Sequence, residues 1–236
     1  MIKLTNLTKS YNRKTVLNID DLTIHDGEIF GLVGNNGAGK TTLLRLMLDL
    51  ISADTGTVTS DEHIVRSSEK WKDYTASYLD EGFLIEYLTP EEFFSFIAEE
   101  YSLSKEVMDT RLAEFSDLFN GEILGQKKKY IRDFSKGNRQ KIGIASSMIT
   151  DPRVLILDEP FNSLDPSSQI ILKRMLSGYN RKSGALMVIS SHDLNHVTEI
   201  CTRIAIIERG IIIRDIRNEG QAMAELADYF SVRKSN

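Results

Sequence analysis

The chain has 236 residues, of which 41% are hydrophobic and 27% charged, and a formal charge of −5. That length supports a core able to fold without a partner, and the balance excludes a disordered or collagen-like chain. The acidic surplus argues against non-specific nucleic-acid binding, no run approaches the roughly 18 apolar residues of a membrane span, and the lone Cys201 rules out an intrachain disulfide and suits a reducing compartment.

Met1 to Asn6 lack the basic start and long apolar run of a secretory leader, so none is predicted there. Ile2 to Leu7 and Val16 to Ile24 alternate apolar and polar residues, which predicts half-buried antiparallel strands forming an N-terminal β-layer. Glu28 to Val33 is nearly all apolar, and a glycine-rich turn and the helical pattern Thr42 to Leu50 follow it. From about Gly82 to Phe134 the strand signal disappears. A helix start stands out there, with Thr89 as cap, Pro90 in first position and Glu92 three residues after the cap. Phe93, Phe94, Ile97 and Tyr101 recur at helical spacing and are expected to pack inward. Lys127-Lys128-Lys129 reads as a solvated face. Val154 to Leu157 and Leu186 to Ile189 are short apolar runs expected to be buried parallel strands. Ile204 to Glu208 and Ile211 to Arg214 flank Arg209-Gly210, a turn suited to a hairpin. Cys201 is expected in the core.

The chemistry begins at Gly34-Asn35-Asn36-Gly37-Ala38-Gly39-Lys40-Thr41, which matches the pattern G-x-x-x-x-G-K-[ST] between a predicted strand and helix. Glycines let consecutive N–H groups turn toward phosphate, and the helix N-terminus adds to the attraction. Lys40 is expected to reach the β- and γ-phosphates, and Thr41 to offer its hydroxyl to Mg²⁺. Val154 to Leu157 delivers Asp158 and Glu159 at the carboxyl end of a strand, where open α/β sheets bind ligands. Neighbouring strand side chains point to opposite faces. One carboxylate can therefore organise the metal while the other reaches the attacking water. His192 follows the strand ending in Ser190-Ser191 and is a candidate partner for the γ-phosphate or that water.

These elements resemble the ABC ATPase family over nearly the whole chain. The deciding segment is Phe134-Ser135-Lys136-Gly137-Asn138-Arg139-Gln140, similar to the family's LSGGQ signature. The resemblance implies an α/β fold: a P-loop NTPase core with a mostly parallel sheet, an N-terminal antiparallel β-layer and a helical insertion. It also implies one cassette over 1–236, with its core in 1–81 and 135–236 and the insertion in 82–134. ATP is the implied substrate, bound by Gly34 to Thr42, with Tyr11 stacked on adenine beside Val16. Ser135, Lys136, Gly137 and Asn138 would contact the γ-phosphate held by a second subunit, and Asp165 of Ser163-Leu164-Asp165 would cross that interface. Glu159 becomes the general base and His192 the switch histidine, with Lys40 in the catalytic set and Thr41 and Asp158 at Mg²⁺.

Two departures stand out. Glu81, in Tyr78-Leu79-Asp80-Glu81, takes the place of the family's usual glutamine. Its full charge near a γ-phosphate is unfavourable unless a metal lies between them, so Glu81 is expected in the metal shell. In the signature, Phe134, Lys136 and Asn138 replace leucine, glycine and glutamine, and Lys136 adds a cation. The resemblance further implies separate membrane permease subunits, a second ATPase subunit that is a copy or a paralogue, no nucleic-acid partner, and a cytoplasmic, peripheral place on the inner face of the cell membrane. The stretches around Gly82 and the signature look closest to bacterial export-type cassettes. A soluble ABC ATPase acting on ribosomes or DNA is the competing reading. A non-enzymatic nucleotide sensor is disfavoured by the presence of Lys40, Asp158, Glu159 and His192.

Overall fold

The computed structural model describes residues 1–126 and 128–218. Lys127 of the lysine triplet lies outside the described residues. Lys129 is not simply solvated: its ammonium sits 4.1 Å from the centre of the Phe134 ring.

Strands β1 (Ile2–Tyr11) and β2 (Lys14–Ile24) form an antiparallel hairpin. Its turn residues Asn12 and Arg13 both have positive φ, 50° and 63°, the backbone of a two-residue turn matched to strand twist. The hairpin runs further toward its tip than alternation alone indicates, because burial fades there and polar residues carry the pairing. Strands β4 (Thr55–Ser60) and β5 (His63–Ile64) complete a four-stranded sheet in the order β2-β1-β4-β5.

The second sheet joins β3 (Ile29–Val33), β6 (Thr75–Tyr78), β7 (Val154–Leu157), β8 (Leu186–Ser191), β9 (Arg203–Glu208) and β10 (Ile211–Arg217) in the order β10-β9-β3-β8-β7-β6. From β9 to β6 the pairs are parallel, and β10 returns antiparallel through the predicted hairpin. Its strands serve two cores. Phe30, Leu32, Ile156 and Val188 face a cluster shared with the first sheet and with helix α1 (Lys40–Met47), whereas Val33, Leu155, Leu157 and Ile189 face the remaining helices. Helix α1 ends earlier than the apolar pattern indicates, because Asp49 turns into the left-handed region at φ 52°.

Helix α2 (Pro90–Glu100) starts as expected: Thr89 Oγ1 accepts from the Glu92 N–H at 3.3 Å, and the Glu92 carboxylate accepts from the Thr89 N–H at 2.8 Å. Helices α3 (Lys105–Ala113) and α4 (Ser116–Phe119) come next in the chain, and Phe94 stacks on Phe119 with ring centres 6.1 Å apart. Tyr101 departs from the packing expectation: it caps the end of α2 and stays 40% exposed. Helices α5 (Lys136–Met148), α6 (Pro166–Ser183) and α7 (Leu194–Ile200) cover the second face of the parallel sheet. Cys201 is buried, and burial pushes its thiol far above the usual range, so it packs as a small apolar group.

Helix α5 lies against β6 because Gly143 has no side chain: a Cβ there would sit 2.0 Å from the Tyr78 ring. Alanine at 143 forces that ring or the helix to move, at a cost of about 1–3 kcal/mol that outweighs its better helix propensity. Urea unfolding of Gly143→Ala is expected to show a lower midpoint; an unchanged midpoint would mean that Tyr78 yields freely.

Candidate functional site

Every residue in β3, β7 and β8 is buried, so polar groups gather where these strands end. The loop from Gly34 to Gly39 leaves the end of β3 and enters α1. It is tied down by Gly34 N–H to the Ser191 carbonyl (3.3 Å) and by Gly210 N–H to the Ala38 carbonyl (2.8 Å). A Cβ on Gly34 would stand 2.4 Å from the Ile207 carbonyl oxygen, and Gly39 has φ 110°, so neither position accommodates a side chain. Asn35, Asn36 and Gly37 are exposed at the tip, Thr41 is exposed on α1, and Thr42 is half-buried beside it.

Lys40, the first residue of α1, is buried. Its ammonium donates to the Gly34 carbonyl at 2.6 Å and lies 3.1 Å from Glu159 Oε1. His192 reaches the other oxygen of that carboxylate, with Nδ1 at 2.9 Å from Oε2 and its backbone N–H donating at 3.2 Å. Lys40, Glu159 and His192 thus form one connected polar row. Asp158 turns the other way: Thr41 Oγ1 donates to its Oδ2 at 2.6 Å, and Ser190 Oγ donates to its Oδ1.

Glu159 has φ 48°, a left-handed conformation that costs a non-glycine residue about 1–3 kcal/mol and is characteristic of functional sites. Two side chains hold it there. Ser190 Oγ accepts from the Glu159 N–H at 2.9 Å, and Gln140 Nε2 donates to its carbonyl at 3.0 Å. The sequence reading gives neither Ser190 nor Gln140 a role. The signal that could have found Ser190 is register: Leu157 pairs with Ile189, which sets Asp158 level with Ser190.

A hydroxyl and a carboxylate side by side at the phosphate loop are hard oxygen donors of the kind Mg²⁺ takes, and Mg²⁺ uses one or two carboxylates together with substrate phosphates and water. Thr41 and Asp158 fit it. Glu81 has another partner: both Nε and a terminal nitrogen of Arg139 lie 2.6 Å from its Oε2. Its charge is balanced by a guanidinium, and it lines one cavity of about 320 Å³ with Asp158 and Glu159.

The signature residues form a separate surface. Ser135 caps α5 by accepting from the Asn138 N–H at 3.2 Å, and Asn138 donates its side-chain amide to Glu122 at 3.0 Å. A Cβ on Gly137 would lie 2.5 Å from the Ser163 carbonyl, so glycine lets the start of α5 rest on the loop before α6. Ser135, Lys136, Gly137, Asn138 and Asp165 line one cavity of about 570 Å³ that contains none of Lys40, Asp158 and Glu159. Lys136 reaches the rim of both cavities. Val16 runs close to the phosphate loop, its carbonyl 3.1 Å from where a Gly39 Cβ would be. Tyr11 stands at the hairpin tip, 47% exposed, with the Lys9 ammonium 5.3 Å from its ring centre.

A glycine loop after a parallel strand, lysine and threonine opening the next helix, and Asp-Glu ending a nearby strand define a P-loop nucleotide-binding protein. Residues 17–162 match the family described as ABC transporter. An uncharacterised ABC transporter ATP-binding protein of Nostoc sp. is 36% identical over 81% of this chain and 57% of its own length. The bacitracin transport ATP-binding protein of Enterococcus faecalis is 33% identical over 92% of this chain and 69% of its own. The methionine import ATP-binding protein of Oceanobacillus iheyensis is 30% identical over 94% of this chain and 66% of its own. A solved ATP-binding subunit of an ABC transporter superposes with a TM-score of 0.86 at 25% identity, covering 100% of both chains. The chain belongs to the ABC transporter family of ATP-binding proteins. It spans little more than half of the Nostoc relative.

Asp165 supplies a pH test. Hydrogen bonds from the Ser167 hydroxyl, then from the hydroxyl and N–H of Ser168, hold its carboxyl far below the usual range as it caps α6. A depressed folded-state pKa stabilises above the unfolded pKa, about 3.9, and the increment is lost as pH falls through the folded value. The wild-type Tm is therefore expected to exceed that of Asp165→Asn at pH 7, with the gap closing as pH drops below about 4. A gap independent of pH would assign the difference to geometry alone.

Proposed function

We propose that the chain binds and hydrolyses ATP as the motor subunit of a membrane transporter. The observation that carries this reading is the connected row Lys40, Glu159 and His192, set beside the Thr41 and Asp158 pair at the mouth of the phosphate loop. Phosphoryl transfer depends chiefly on positioning and charge neutralisation, and these residues divide that work.

The γ-phosphate competes with Glu159 for the Lys40 ammonium. As Lys40 moves to phosphate, Glu159 keeps its His192 contact and becomes free to accept a proton from water. Thr41 and Asp158 are the residues that would hold Mg²⁺, which supplies charge neutralisation across the phosphates. Asp158 has a different task on this arrangement, since its two oxygens accept from the Thr41 and Ser190 hydroxyls at the phosphate loop.

The Ser135 surface lies apart from the chain's own Lys40 and Glu159, which supports a head-to-tail pair of subunits. Each copy, or a paralogue in its place, would close its capped α5 over the other's nucleotide. Removing the γ-phosphate then loosens the pair and moves attached membrane subunits. No helix among the described residues is long and apolar enough to cross a membrane, so the reading assigns the crossing to separate permeases at the inner face of the cell membrane. Export is the direction we favour. The resemblance of the Gly82 and signature stretches to export-type cassettes supports it. Nucleic acid has no part in this reading.

Glu159→Gln is expected to lower turnover by about 100-fold or more, the usual scale of a lost general base, while the ATP-bound protein elutes as a dimer in gel filtration. Wild-type turnover in that variant would remove Glu159 from the chemistry. Lys40→Ala is expected to weaken ATP binding itself in calorimetry, because it loses contacts made in the ground state as well as the transition state. For direction, the chain is co-expressed with its permeases: ATP added outside inverted vesicles should drive cargo inward, and outward movement would mean import.

A further inference from the structure

The Glu81 and Arg139 pair joins two parts of the molecule that otherwise serve different surfaces. Glu81 opens the turn after β6, and Asp80 fixes that turn by accepting from the Gly82 N–H at 2.8 Å. Arg139 lies in the first turns of α5, where its N–H donates to the carbonyl of the Ser135 cap at 2.9 Å. Its guanidinium is held from two sides, by Glu81 Oε2 at 2.6 Å and by the Arg132 carbonyl at 3.3 Å. The two side chains are 24% and 23% exposed, well short of the exposure at which ion pairs lose their worth to screening.

A metal at Glu81 would compete for a carboxylate whose Oε2 already accepts two guanidinium bonds. Thr41 and Asp158, in contrast, already face one another without it. We infer that Glu81 and Arg139 form a latch that fixes the start of α5 against the edge carrying the catalytic carboxylates, with Glu81 a positioning residue and not a metal ligand. The latch explains how a carboxylate is tolerated where its charge would repel phosphate: the compensating cation comes from the same helix that Ser135 caps. It also gives the two surfaces a mechanical link, since a shift of the turn after β6 is passed to Ser135 within one helical turn. Its catalytic consequence rests on the ATPase reading above, whereas its structural part does not.

Four variants test it: Glu81→Ala, Arg139→Ala, the double variant, and the reversed pair Glu81→Arg with Arg139→Glu. In the nucleotide-free chain, amide hydrogen exchange of residues 136–140 is expected to quicken about tenfold in each single variant and no further in the double, with the reversed pair slow again. In ATP hydrolysis, each single variant is expected to lose about tenfold in kcat with KM and half-saturating Mg²⁺ within about twofold of wild type, and the reversed pair to recover most of that loss. Effects that multiply in the double variant would overturn the latch. So would a Mg²⁺ requirement raised about tenfold by Glu81→Ala and not by Arg139→Ala, which is the signature of a lost metal ligand. If the wild-type chain hydrolyses no ATP, the motor reading fails and the exchange measurement still decides the latch.

Discussion

Strands β3, β7 and β8 are buried on both faces, and the assembly of the site depends on that constraint. A strand enclosed by two cores cannot carry a polar side chain along its length, so it must release its polar residues at its ends. Parallel pairing then puts the carboxyl ends of all three on one edge. The phosphate loop, the Asp158 and Glu159 pair and the residues from Ser190 to His192 meet there although far apart in sequence. Burial, rather than any single bond, thus gathers the site.

Within that edge, the finer geometry is held by side chains bonding to backbone. Glu159 is bent into the left-handed region beyond the end of β7, and Ser190 from β8 bonds its amide while Gln140 from α5 bonds its carbonyl. A buried backbone group left without a partner costs about 1–3 kcal/mol, so the Ser190 bond to the amide and those of Gln140 and the Asn162 N–H (3.1 Å) to the carbonyl make the bend sustainable. They also decide where the Glu159 carboxylate points, toward Lys40 and His192.

The parts legible in the sequence are those whose physics is local. The loop from Gly34 to Thr41, the two-sided strand before it, the Thr89 cap and the Arg209-Gly210 hairpin each declare themselves within a dozen residues. Strands β4 to β6 do not, because Thr55 to Ser60 presents one buried apolar residue, Val58, and the segment Thr75 to Tyr78 is too short to establish a period. The partners of Glu81, Asp158 and Glu159 are hidden for another reason. Arg139, Ser190 and Gln140 are brought to them by register and helix packing, which no spacing along the chain reveals. Glu81 shows the cost of this: along the chain its charge stands alone, and only the packing of α5 brings the Arg139 guanidinium to it.

The same balance of charge extends across the site. Lys40 has Glu159, Glu81 has Arg139, Asp158 accepts from two hydroxyls, and the buried Lys141 ammonium lies 4.0 Å from Asp165. A chain so compensated can fold with Lys40, Asp158 and Lys141 buried, because each has its counterpart. An arriving polyanion must therefore exchange partners rather than fill a ready vacancy. On the proposed function, the exchange at Lys40 is the productive one, since the carboxylate it gives up is the one positioned to accept a proton. Binding of the phosphate and activation of the base become a single event, and the base stays neutralised by lysine for as long as there is no phosphate to attack.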